Sequence, residues 1–200
     1  MSSHSTFSPR ASASVASPEF RFDLDAGRIH TPRLVLLAAT AAMLRAELEG
    51  LDALAAATRA RVPADWPPEL YDRDAVLYSL AAAEASPDDP PRWGSWYVVE
   101  PAADGGPGTL VGMCGFHAPP TPEGDVEVGY GLLPAARGRG YATEAARALT
   151  AYAFADPRVR RVVAETLPHL DASIRVMERA GFVPADDAAS PEVVRYELRR

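Results

Sequence analysis

The sequence contains no lysine, no asparagine and no glutamine, and only one cysteine. All fixed positive charge therefore comes from arginine, a pattern of compositional bias, so an arginine where another chain has lysine carries little chemical information. Cys114 cannot close an internal disulfide, and its neighbours Met113 and Phe116 mark it as a buried structural thiol rather than a nucleophile. No run of about 18 apolar residues is present, so no spanning helix and no membrane partner is expected. The Ser-rich start also lacks the apolar core of a secretory signal, and the expected location is the cytoplasm. Acidic residues outnumber basic ones 27 to 20, and the net charge of −7 argues against nucleic acid as a partner. His4, His30, His117 and His169 lack metal-ligand spacing, so no metal is expected.

What is present fits one folded unit: 200 residues, 48% of them hydrophobic, can bury a sizeable core. Residues 1–19, rich in Ser and Ala, are expected to form a disordered tail ahead of a domain over 20–200. Arg33 to Leu37 reads as a first strand, and Thr40 caps a helical pattern that Gly50 divides in two. Prolines 63, 67 and 68 exclude regular structure around Trp66. That residue is a candidate acceptor-binding group or else a lid packed on the core. Another helix follows and ends before a linker at Pro87 to Pro91. Trp93 onward alternates with period two into a hairpin whose second arm is Thr109 to Phe116, and a further strand runs from Asp125 to Leu132. On that strand Val126, Val128, Tyr130 and Leu132 share one face, leaving Glu127, Gly129 and Gly131 on the other.

The stretch from Leu132 to Thr143 leaves this strand and opens a helix marked by Ala142, Ala145, Ala146, Leu149 and Ala153. Gly138 and Gly140 permit a sharp turn that brings main-chain N–H groups together at a helix N-terminus, where an anion is favoured, and Arg137 and Arg139 add positive charge. This is a phosphate cradle, yet it has neither the lysine of the Walker loop nor the third glycine of the dinucleotide fingerprint. A glycine-punctuated turn with solvated arginines is the plainer alternative. Beyond the helix come a Val-rich strand from Arg160, a helix with Asp171 expected as N-cap and Gly181 as its stop, and a last strand from Val193 to Leu198. A helical crossover between the Glu127 and Arg160 strands makes the sheet mixed.

Arg137-Gly138-Arg139-Gly140-Tyr141-Ala142 resembles the Arg/Gln-x-x-Gly-x-Gly/Ala signature of the GNAT acetyltransferase superfamily, where it holds the pyrophosphate of acetyl-CoA. Three further stretches resemble the branch related to ribosomal-protein alanine acetyltransferases. Thr31 to Leu36 is similar to its opening strand, Glu127-Val128-Gly129-Tyr130 to its Glu-Ile-Gly-Tyr, and Ser173 to Phe182 to its Ser-x-x-Val-Leu-Glu-Lys-x-Gly-Phe. The resemblance implies a single-domain α/β (α+β) fold with a mixed, mostly antiparallel central sheet flanked by helices.

It also implies acetyl-CoA as co-substrate, held by Tyr130, Gly131, Leu132, Arg137, Gly138, Arg139, Gly140, Tyr141, Ala142 and Thr143, and direct acetyl transfer to a primary amine of a small molecule or peptide. Glu127 is then the candidate general base, and main-chain N–H groups near Tyr130 to Leu132 are the candidate oxyanion donors. A surface glutamate paired with an arginine is the alternative for Glu127. Leu170 and Met177 stand where relatives carry an Asn and a Tyr, so Ser173 becomes the candidate donor to the thiolate, or else a helix cap. His117, at a strand end, is a candidate acceptor-site residue. Asp65, Glu69, Asp72 and Asp74 hint at a cationic amine. A homodimer stays open as the assembly, and a degenerate domain that senses acyl-CoA without turnover, or a module binding another anion, are the alternatives to an enzyme.

Overall fold

The computed structural model describes residues 19–86 and 91–200. The expected tail, apart from Glu19, and the expected linker, apart from Pro91, lie outside the described residues. In chain order the elements are β1 (Arg21–Asp23), β2 (Arg28–His30), β3 (Val35–Ala38), α1 (Ala41–Glu49), α2 (Leu51–Thr58), α3 (Arg73–Ala85), β4 (Ser95–Glu100), β5 (Thr109–Phe116) and β6 (Asp125–Leu132). A 3-10 turn (Pro134–Ala136) then leads to α4 (Tyr141–Ala155), β7 (Arg161–Thr166), α5 (Asp171–Ala180), β8 (Val183–Ala185) and β9 (Val194–Arg199). The strands form one sheet in the order β1-β2-β3-β4-β5-β6-β7-β9-β8. All named strand pairs are antiparallel except β6 with β7, which α4 connects by the expected crossover.

Period-two alternation divides the core into two layers. Leu36, Trp96, Val98 and Cys114 point to the cluster that α4 and α5 cover, whereas Leu37, Tyr97 and Met113 point to the cluster beneath α1, α2 and α3. Ala145, Ala146, Leu149 and Ala153 form the buried stripe of α4, the three alanines letting the helix lie close to β6. Thr40 caps α1 by accepting from the Met43 N–H at 3.3 Å, and Gly50, at φ 144°, separates α1 from α2. Two readings are corrected. Asp171 is the first helical residue of α5, not its cap; Leu170 holds that position and no side chain caps the helix. An acidic residue in the first turn also complements the helix dipole, so its presence alone does not mark the cap. The sheet begins earlier than Arg33: β1 and β2 add a hairpin in which Phe22 pairs with Ile29.

The feature that prepares a site is the short reach of the parallel pairing. Asp125 to Glu127 face Arg161 to Val163, after which the two strands part while β6 stays paired with β5 and β7 with β9. Arg161 fastens the closed end. Its side chain, only 12% exposed, bonds Asp125 on β6, Glu197 on β9 at 3.1 Å and Asp187 at 2.7 Å. Removing the cation would leave Asp125 without an ion pair among the described residues, Asp187 with Arg195 alone at 3.6 Å, and Glu197 with Arg199. Arg161→Met should therefore lower unfolding free energy by about 2–3 kcal/mol, seen as a Tm drop of roughly 5–10 °C. Arg45→Ala, which breaks the exposed Arg45–Glu84 pair, should stay within about 0.5 kcal/mol of the parent in the same denaturation series.

Candidate active site

The parting of β6 from β7 leaves one edge of β6 without a strand partner. Because Glu127 O accepts from the His117 N–H at 3.0 Å and the Leu133 N–H donates to Val111 O at 3.0 Å, odd-numbered residues bond toward β5. The amides of Tyr130 and Leu132 consequently face the opening, whereas that of Val128, at the end of the parallel register, still pairs with Val163. Of the expected oxyanion donors, Tyr130 and Leu132 are thus brought to the gap, whereas Gly131 turns its N–H to β5. What Gly131 contributes instead is a bare surface: a Cβ there would come within 3.6 Å of Pro68 and 3.7 Å of Glu69 O.

At the end of β6 the chain enters the cradle. Gly138 and Gly140 adopt φ of 74° and 80°, the left-handed region that glycine enters without a Cβ clash. Gly140 is the N-cap of α4 and has no side chain to occupy the first-turn N–H groups. The first amide bonded into the helix is that of Glu144, to Gly140 O at 3.1 Å. Among the described residues the amides from Gly138 to Thr143 have no protein acceptor, so they remain available to an anion. Arg137 and Arg139 flank this loop, and Arg33 joins them, its Nη1 donating to Arg139 O at 2.8 Å. The guanidinium groups of Arg33 and Arg139 lie 4.9 and 4.5 Å from the centre of the Tyr141 ring, which cation–π attraction helps to fix.

Each of these arginines also meets a carboxylate. Arg33 pairs with Glu144 at 2.6 Å, Arg137 with Glu69 at 2.8 Å, and Arg139 with Glu100 at 2.6 Å. Hydrogen bonds from Arg139 and then Tyr141 hold the Glu100 carboxyl below its ordinary range. Free amides at a helix start together with three guanidinium groups fit a pyrophosphate well. Arg33 was not foreseen as a cradle residue. In the sequence it reads only as the first residue of the strand from Arg33 to Leu37.

On the other face of the sheet, a cavity of about 570 Å³ opens between β5, β6, α3 and the loop before α3. Its wall includes Glu69, Asp74, Tyr78, Met113, His117 and the backbone of Gly129 and Gly131. Glu127 stands beside it through His117, whose Nδ1 lies 3.1 Å from Glu127 Oε1. The opposite ring nitrogen, Nε2, hangs over Gly129, where a Cβ would approach it to 3.1 Å. The hydrogen bond from His117 lowers the Glu127 carboxyl, outweighing burial, and the same bond raises the His117 imidazole above its ordinary value. No arginine forms an ion pair with Glu127 among the described residues; Arg195 pairs with Glu165 at 2.7 Å.

Across the opening, the Tyr130 hydroxyl reaches α5, 3.1 Å from Ser173 O and 3.2 Å from Ser173 Oγ. Ser173 is therefore engaged with Tyr130 and does not cap its helix. Met177, at 1% exposure, belongs to the core. Trp66 is not brought to the cavity. At 7% exposure it packs 6.0 Å from the Tyr97 ring and donates its indole N–H to Glu47 at 2.6 Å, so its role is to pin the proline-rich loop. Burial raises the Glu47 carboxyl, against the lowering effect of its bonds from Tyr97 and Trp66. Of the four acidic residues that hinted at a cationic amine, Glu69 and Asp74 line the cavity, while Asp72 caps α3 and Asp65 lies apart.

Comparison with known proteins agrees with this geometry. The acetyltransferase (GNAT) domain model matches residues 36–183. A curated relative named "Probable N-acetyltransferase YjcK", from Bacillus subtilis (strain 168), is 42% identical over 55 residues, covering 28% of this chain and 30% of that protein. The chain thus spans less than a third of the length of that relative. A solved acetyltransferase from Agrobacterium tumefaciens str. C58 superposes with a TM-score of 0.58 at 25% identity, over 86% of this chain and 94% of the other. The microcin C7 self immunity acetyltransferase MccE, solved in complex with acetyl-CoA and AMP, shares the fold at a TM-score of 0.56 and 13% identity, over 85% and 94% of the two chains. With the domain matched over most of its length and its sheet parted above an arginine-lined helix start, the chain belongs to the GNAT acetyltransferase family.

Proposed function

We propose that this protein transfers the acetyl group of acetyl-CoA to a primary amine, without an acyl-enzyme intermediate. The observation that carries this reading is the Glu127–His117 hydrogen bond of 3.1 Å, which turns His117 Nε2 toward the cavity on the face opposite the cradle-bearing helix. Acetyl-CoA supplies the acetyl group already activated as a thioester. Arg33, Arg137, Arg139 and the amides from Gly138 to Thr143 hold its phosphates, and the open edge of β6 offers amides at Tyr130 and Leu132 to a carbonyl oxygen.

The proton of the incoming amine goes to His117 Nε2. Glu127 is held too acidic to be the better acceptor; its carboxylate fixes the imidazole through Nδ1 and stabilises the imidazolium that forms. Across the gap, the Tyr130 and Ser173 hydroxyls hold a proton for the departing sulfur, in place of the tyrosine that Met177 lacks. That hydroxyl pair favours turnover over acyl-CoA sensing alone. Release of CoA with a panel of peptide and small-molecule amines separates the two, and its complete absence would leave the sensor reading.

Gly140→Asp should weaken acetyl-CoA binding by about tenfold or more in calorimetry. The new carboxylate would sit among the anion donors and draw on Arg33, whose Nη2 lies 3.4 Å from the Cβ position. Unchanged affinity in the folded variant would place the phosphates elsewhere.

The pH profile tests the proton acceptor. Glu127 raises His117 above 6.5, so the neutral, basic imidazole is populated only above that raised value, and wild-type kcat/KM should climb with pH through it. Glu127→Gln removes the charge that favours imidazolium. The inflection should move down, turnover near neutral pH should fall by about 10–100-fold, and activity should partly recover near pH ~9 as the amine loses its proton unaided. His117→Ala should abolish the inflection. A wild-type profile in His117→Ala would instead assign the base role to Glu127 acting through water.

A further inference from the structure

Glu69 occupies a position shared by two sites. Its Oε2 lies 2.8 Å from Arg137 Nη2 at the cradle, and the same residue lines the cavity together with Asp74. The segment that carries it is short and fixed at both ends. Upstream, Trp66 is buried on Glu47; downstream, Asp72 caps α3 through the amides of Asp74 and Ala75. Between those anchors Pro68 and Glu69 lie against the bare face of Gly131, and Leu70, in the left-handed region at φ 67°, is 91% exposed at the cavity rim.

Arg137 is likewise held on two sides, since its Nε donates to Leu132 O at 3.1 Å. That bond fixes the guanidinium at the cradle whatever Glu69 does. The Glu69 carboxylate is 73% exposed, so leaving Arg137 exchanges one exposed contact for another and costs little. Glu100 and Glu144 also face cradle arginines, but neither lines the cavity.

We propose that Glu69 is an acceptor-positioning residue, held by Arg137 until phosphate takes that guanidinium and then released to bind a positive charge on the acceptor. The acceptor class that follows is an amine carrying a second cationic group, recognised by Glu69 and Asp74 while the reacting nitrogen meets His117. This rests on the acetyl-transfer reading above. Acetyl-CoA binding then strengthens acceptor binding, because a phosphate anion and the acceptor cation each take one partner of the same ion pair.

Glu69→Gln separates these roles. Losing an exposed competitor for Arg137 should tighten acetyl-CoA binding by about two- to fivefold in low-salt calorimetry, and the gain should vanish in an Arg137→Ala background. In steady-state assays the KM for a straight-chain diamine should rise about three- to fivefold with kcat nearly unchanged, while a monoamine of equal chain length keeps its KM. A merely structural role would shift both amines alike. Acetyl-CoA affinity equal to wild type, or equal loss for the two amines, would overturn the proposal while leaving acetyl transfer in place. Failure of the wild-type protein to bind acetyl-CoA would remove both.

Discussion

The structure depends on a sheet that is deliberately left unzipped. Buried main-chain amides are almost always paired, yet β6 turns those of Tyr130 and Leu132 toward a gap where β7 could have continued beside it. Neighbouring groups manage the opening. Arg161 binds the strands below the gap, Arg137 takes the Leu132 carbonyl at its upper end, and the Tyr130 hydroxyl crosses it to Ser173. A ligand with amide groups along an extended arm would complete the ladder much as an added strand completes a sheet edge.

Two carboxylates beneath the same face show how environment divides labour. Glu47 and Glu127 both meet hydrogen-bond donors, but burial dominates at Glu47 and raises it, whereas the His117 bond dominates at Glu127 and lowers it. The first anchors Trp66 and Tyr97 and so fixes the floor of the loop above it. The second meets an imidazole with a ring nitrogen exposed to the cavity. Only the latter arrangement connects a charge to a group that can exchange protons with a substrate.

The legible parts of the molecule were those written into local periodicity. Alternation from Trp96 to Leu132 gave the hairpin, the next strand and the face of Glu127, and the two glycines beside Tyr141 gave the start of α4. The strands β1 and β2 were illegible because three residues each, with one apolar side chain apiece, contain no period. Contacts joining distant residues left no trace either: Arg33 reaches Arg139 across 106 positions and Arg137 reaches Glu69 across 68. Trp66 was ambiguous for another reason. A tryptophan among prolines can face outward or inward, and the deciding partner, Glu47, sits on a separate helix.

The side-chain charge of the cradle comes from guanidinium groups alone, in a chain with no lysine side chain anywhere. A thioester is an acylating reagent even without catalysis, and lysine amines are the side chains it modifies. Guanidinium keeps its proton at all physiological pH and is a poor nucleophile. Were the cradle to hold such a reagent, its charges would be immune to chemical erosion by it, however long the complex persisted.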